Sequence, residues 1–217
     1  MTDVSKVQTS SASEVYDKFK SSYGDLYAAK VLTSFCNSMS TTVEQVVKDQ
    51  NEYLSNVAVE LNDIIGLEED MNSKIVQLEQ EIEQLLIKKE NGTITEDEEA
   101  ELVSKRGEIT ALTTNTNSQI SSKNSTLKGF VEKSEGYATK LAVASDYAET
   151  AIDEGESLAS TKDKRKSFWR KIFGGWDKSG TRNVGETLVS AGNNLDGKVT
   201  SANQLVDEIK TRTKSSV

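Results

Sequence analysis

From Val43 to Leu85 the apolar positions fall at alternating intervals of four and three. They are Val43, Val47, Gln50, Leu54, Val57, Leu61, Ile64, Glu68, Met71, Ile75, Leu78, Ile82 and Leu85, and all but Gln50 and Glu68 are apolar. A mean spacing of about 3.5 is that of a coiled-coil seam. It predicts one long helix over 43–89, a rod of roughly 70 Å at the helical rise. Asn91-Gly92 is a helix stop, with glycine free to take the left-handed position. Thr95 and Glu98 then match a capping box, and Glu96, Asp97, Glu98 and Glu99 sit where a helix dipole favours acids. The chain is expected to turn at 90–95 and return.

The returning helix reads from 95 to 158. Its face is marked by Leu102, Ile109, Leu112, Thr116, Ile120, Leu127, Phe130, Tyr137, Leu141, Ala144 and Ala148. Antiparallel pairing puts Leu85 by Leu102, Leu78 by Ile109, Leu61 by Leu127 and Val57 by Phe130. One stretch is different: from Thr113 to Thr126 all but Ile120 and Lys123 are Ser, Thr, Asn or Gln. Such side chains compete for backbone hydrogen bonds and weaken a helix. Glu68 falls opposite, so Glu68, Thr116 and Asn117 form a polar break in the seam. It reads either as a hydrated layer that sets register or as a hinge or exchange surface.

Shorter stripes flank this pair. Val15, Phe19, Tyr23, Leu26, Tyr27, Val31, Phe35 and Met39 predict a helix over 13–39, interrupted by Gly24 at about 1 kcal/mol relative to alanine. Ser40-Thr41-Thr42 can cap the helix that follows. Val184, Leu188, Ala191, Leu195, Val199, Ala202, Leu205 and Ile209 predict a last helix over 184–213. Gly185, Gly192 and Gly197 either weaken it or let it pack closely. Residues 1–12 are rich in Ser and Thr and read as disordered. The expected fold is all-α: an elongated helical bundle, residues 13–217 as a single domain, built on a long antiparallel coiled-coil hairpin.

Composition narrows the function. The 217 residues include no proline, which suits a chain that is helical almost throughout. They include no histidine and one cysteine, Cys36. Most metal centres and Ser–His or Cys–His catalytic arrangements are thereby excluded. Cys36 has helical spacing with Leu32 and Met39 and reads as a small buried apolar group. No phosphate-binding loop, dinucleotide fingerprint or calcium loop is present. Two glycosylation sequons, at Asn91 and Asn124, read as chance matches in a chain rich in Asn, Ser and Thr. The expectation is no enzyme, no catalytic residue, no cofactor and no metal.

Net charge is −9, unevenly spread. Residues 160–182 carry eight Lys or Arg and two Asp, a local +6, leaving −15 on the rest. An acidic body argues against nucleic acid as a partner. Both tryptophans lie in this basic segment. On a helix Phe168, Trp169, Ile172, Phe173 and Trp176 would share a face, flanked by Lys164, Lys166, Arg170 and Lys171. Three uses fit: a plug for the base of the bundle, a dock for a protein partner, or reversible contact with an anionic membrane. The start of the chain has no apolar core of a cleavable signal, and no stretch approaches the ~20 apolar residues of a membrane span.

The Ser/Thr-rich opening, acidic proline-free body, central helical hairpin and amphipathic C-terminal helix together resemble the hydrophilic secreted proteins of bacterial type III secretion systems, of the needle-tip and translocator-filament kind. The resemblance is one of layout and carries no residue roles. It implies secretion without a cleavable signal, docking on or self-assembly with protein partners, and contact with a host membrane. The alternatives are a cytoplasmic coiled-coil adaptor or chaperone, and a peripheral membrane protein that uses residues 163–176.

Overall fold

The computed structural model describes residues 10–160 and 178–214, without the side chains of 178 and 179. All regular structure among them is helical: α1 (Ala12–Tyr23), α2 (Asp25–Glu90), α3 (Glu96–Glu135), α4 (Ala138–Ser160) and α5 (Lys178–Lys214). The fold is all-α, as the spacing predicts.

Four boundaries differ from expectation for a local reason, and α5 begins at Lys178 where 184 is expected. Ser11 is ordered as the cap of α1: its hydroxyl accepts from the Glu14 N–H while the Glu14 carboxylate accepts from the Ser11 N–H. This capping box places Ala12, fully buried, inside the fold rather than in a disordered start. The first expected helix is broken at Gly24, where φ is +88° and ψ 164°. That region is open essentially to glycine alone. No break occurs at Ser40-Thr41-Thr42. Thr41 and Thr42 donate their hydroxyls to the carbonyls of Asn37 and Ser38, four residues back, and α2 runs on. The returning helix stops at Glu135 and restarts at Ala138, across Gly136-Tyr137.

The turn after α2 follows the expected chemistry. Gly92 has φ +67°, and Thr93 N–H reaches back to the Lys88 carbonyl. The Thr95 N–H donates to Glu98, and the Glu98 N–H to the Thr95 hydroxyl, which starts α3.

The described residues gather into two contact units. The first lies within Met1–Glu52 and Lys133–Glu208, the second within Tyr53–Glu132 and Ile209–Val217.

In the first unit α1, α2, α4 and α5 share one core. Tyr16, Ala29, Leu32, Cys36, Leu141, Tyr147, Ala148, Leu188 and Leu195 are among its buried residues. Glycines bring α4 and α5 together. A Cβ on Gly155 would stand 2.7 Å from Val189 Cγ2 and 2.8 Å from the Gly185 carbonyl oxygen. On Gly192 it would meet Ile152 Cγ1 at 2.8 Å and the Ala148 carbonyl oxygen at 2.9 Å. Close packing, one of two uses weighed for these glycines, is therefore the role of Gly185 and Gly192. Gly197 faces open space.

In the second unit two apolar clusters form between α2 and α3. One gathers Val57, Leu61, Ile64, Leu127 and Phe130 with Ile209 of α5; the other gathers Ile82, Leu85, Leu102 and Ile109. Ion pairs follow the same order. Lys88 meets Glu98, Lys105 meets Glu81, and Lys123 meets Glu60 at 3.0 Å and Asp63 at 2.7 Å. As position climbs along α3, its partner descends along α2.

Candidate functional site

The basic–aromatic residues singled out from sequence, Lys164, Lys166, Phe168, Trp169, Arg170, Lys171, Ile172, Phe173 and Trp176, lie outside the described residues. The candidate surfaces on the described chain are therefore the polar break, a buried polar layer, an aromatic elbow and an apolar groove.

At the polar break, Glu68 and Asn117 are exposed and Thr116 is buried. A carboxylate without a close cation is costly to bury, and Glu68 turns to water. The Thr113–Thr126 tract is nonetheless helical. Thr113 and Thr114 donate their hydroxyls to the carbonyls of Ile109 and Thr110, both at 2.8 Å. Lys123, one of the two residues that interrupt the tract, bridges two carboxylates of α2. Asp63 first and Glu60 second hold its ammonium protonated above the usual range.

A different polar layer is fully enclosed. Gln50 and Ser134 are both 0% exposed. Gln50 Nε2 donates to the Ser134 carbonyl at 3.3 Å, and Ser134 Oγ donates to Gln50 Oε1 at 2.6 Å. Beside them the Tyr137 hydroxyl donates to Asp49. That bond, with a second from Gln45, holds the Asp49 carboxyl below its ordinary range. These contacts pin the segment where α3 gives way to α4. Sequence reasoning passed over them. The available signal was Gln50 itself, a neutral amide at a seam position, with Ser134 in the partner helix.

Around Gly24 an aromatic elbow faces water. Tyr23 is 68% exposed, Leu26 42% and Tyr27 49%. Their rings touch: Tyr23 and Tyr27 have centroids 4.9 Å apart, and Phe19 lies 6.4 Å from the first and 6.2 Å from the second. The sequence stripe placed Tyr23, Leu26 and Tyr27 on a buried face. Tyr23 instead closes α1 beside the break at Gly24, and Leu26 and Tyr27 open α2 just after it, all three facing water. Lys20 pairs with Asp25 across the elbow at 3.2 Å.

On the first unit an apolar groove of about 450 Å³ runs between α2 and α4. It is lined by Phe35, Met39, Val43, Val46, Val143 and Ala144, with Lys140 and small hydroxyl side chains at its rim.

Cys36 is buried, its thiol 3.5 Å from the Tyr147 carbonyl oxygen. Burial pushes the thiol up to about 11, so the nucleophilic thiolate is scarce near neutral pH. Among the described residues no three acidic or cysteine side chains gather as a metal site, and no helix is long and apolar enough to cross a membrane.

Comparison with protein-family models, curated proteins and solved structures finds no match.

Proposed function

We propose that this chain is a non-enzymatic helical interaction protein that self-assembles or docks through the exposed aromatic elbow of α1 and α2. The observation that carries the reading is the ring cluster of Phe19, Tyr23 and Tyr27, with the last two and Leu26 largely open to water. Contiguous exposed apolar surface marks interaction sites, and tyrosine is prominent among residues that carry binding energy. The helices beneath supply a scaffold held by a shared buried core.

The setting we propose is a secreted assembly of the type III tip or translocator kind. Its support is the layout of the chain: a Ser/Thr-rich opening, no proline, an acidic body and a helical build. The elbow adds a surface such an assembly needs.

Sedimentation equilibrium tests the assembly role. Wild type is expected to associate with rising concentration, and Tyr23→Ser/Tyr27→Ser to stay monomeric with unchanged helicity. Association equal in both would remove the elbow from the proposal. Export is tested separately, by comparing culture medium and cells for the full chain and for a chain lacking residues 2–13. Retention of the full chain inside cells with an active secretion apparatus would count against the setting.

A further inference from the structure

We propose that the outer row Ile65, Val76 and Ile87 of α2 is a docking face for a basic amphipathic helix of a partner protein. The row lies wholly in the second unit and is independent of the elbow of α1 and α2. It arises from a repeat in the sequence. Ile64-Ile65, Ile75-Val76 and Leu86-Ile87 are apolar pairs set eleven residues apart. Eleven residues fall within roughly 20° of three full helical turns, so the pairs stay on one side of the helix.

Within each pair the two side chains have different surroundings. Ile64 and Leu86 belong to the apolar clusters that α2 shares with α3, and Ile75 is half-buried. Ile65, Val76 and Ile87 each leave about half of their surface open to water. Adjacent residues stand about 100° apart around a helix. An apolar arc of that width suits a helix flanked by more than one neighbour, whereas a two-helix seam needs only a narrower stripe. The described residues that cluster with this part of α2 come from α3, and from α5 only at Ile209. The outer row is the part of the arc that this pairing leaves uncovered. From Ile65 to Ile87 it runs about 33 Å, the length of a helix of roughly 22 residues.

Charge selects the occupant. Residues three and four places along a helix flank a given side chain. The charged residues so placed about the row are Glu68, Glu69, Glu79, Glu83 and Glu90. All are exposed, and none has an ion pair among the described residues. The nearby lysines are turned elsewhere. Lys88 and Lys89 pair with Glu98 and Glu99 of α3, and Lys74 sits two residues from Val76, a spacing that does not share a face. A second copy docked by the same row would set acid on acid. Glu69 and Glu83 would each meet their own kind in a parallel pair, and each other in an antiparallel pair centred on Val76. A helix with apolar groups along one side and Lys or Arg beside them matches both the row and its acidic border.

The test uses the full chain and two labelled synthetic helices of one apolar pattern, with lysine or glutamate at the flanking positions. Fluorescence anisotropy should show the lysine peptide binding and the glutamate peptide free. Ile65→Gln/Val76→Gln/Ile87→Gln should weaken the lysine peptide about tenfold or more. Glutamine is a good helix former, and circular dichroism should show unchanged helicity. Glu69→Gln/Glu83→Gln, which keeps the apolar row, should weaken binding severalfold. Tyr23→Ser/Tyr27→Ser should bind as wild type, which separates failure of the row from failure of the elbow. Lysine-peptide binding that is absent from wild type, or unchanged in either glutamine variant, overturns the proposal. Self-association of the chain that disappears in the triple variant also overturns it, and makes a second copy the occupant.

Discussion

Gln50 and Ser134 exchange two hydrogen bonds across the core, amide to carbonyl at 3.3 Å and hydroxyl to amide oxygen at 2.6 Å, with neither residue exposed. A buried polar pair of this kind is tolerated only when satisfied, and a slip of either helix would leave both sides unpaired. The pair therefore acts as a register lock for the first unit.

Ser134→Ala should destabilise the protein by about 1–3 kcal/mol, because the Gln50 amide oxygen keeps its burial and loses its donor. Gln50→Leu/Ser134→Ala, which removes the polar groups on both sides, should recover part of that loss. Urea unfolding of the two single variants and the double variant measures the coupling. Additive losses would mean that the two residues act independently.

The glycines of α4 and α5 give opposite predictions within one helix. Gly192→Ala drives a methyl into Ile152 and the Ala148 carbonyl, and should cost about 1–3 kcal/mol. Gly197→Ala meets nothing within 4 Å and should stabilise the same helix by roughly 0.5–1 kcal/mol. Thermal unfolding should move the midpoint down for the first and up for the second.

Cys36 links stability to alkaline pH. Its thiol ionises at about 11 in the folded protein and at an ordinary 9.0 when free of the fold. The protonated form is the one the core favours, so this contribution is complete below pH 9 and is lost as pH rises from about 9 to 11. The loss is at most about 2–3 kcal/mol. Burial also raises the hydroxyls of Tyr16 and Tyr147, which add their own alkaline loss. Cys36→Ala isolates the thiol: its stability should fall less steeply than wild type between pH 9 and 11. A parallel fall in the two proteins would refute the assignment. In native wild type the thiol should also resist aromatic disulfide reagents until the protein is unfolded.

The Val43–Leu85 seam was legible because alternating spacing encodes burial directly. Every seam position is buried or half-buried except Glu68. The turn at Asn91-Gly92 and the cap at Thr95 were equally legible, since both are local chemistry. Ser and Thr misled where their hydroxyls had two uses. Ser11 caps a helix in a stretch read as disordered, while Thr41 and Thr42 bond back into a helix they were expected to start. The elbow was hidden because a stripe that assumes one continuous helix assigns Tyr23 and Tyr27 to the core. Gln50 was visible as a non-apolar seam residue, but its partner depends on register, which spacing alone fixes only to within a turn.

The elbow itself depends on Gly24. Its backbone, at φ +88° and ψ 164°, lies where a side chain is strained whatever space surrounds it. Gly24→Ala should therefore destabilise the protein by about 1–3 kcal/mol, although no atom stands within 4 Å of the added methyl. The alternative open to the variant is to let α1 and α2 run together as one helix, which would change how Tyr23 of α1 stands relative to Leu26 and Tyr27 of α2. Tyr23→Ser/Tyr27→Ser removes exposed rings and no core packing, so its stability should stay within about 0.5 kcal/mol of wild type. If the elbow is the assembly surface, both variants lose association, but only Gly24→Ala also loses stability. Chemical denaturation and sedimentation on the same samples separate the two effects. An alanine at position 24 that leaves stability unchanged would show that the bend does not require glycine.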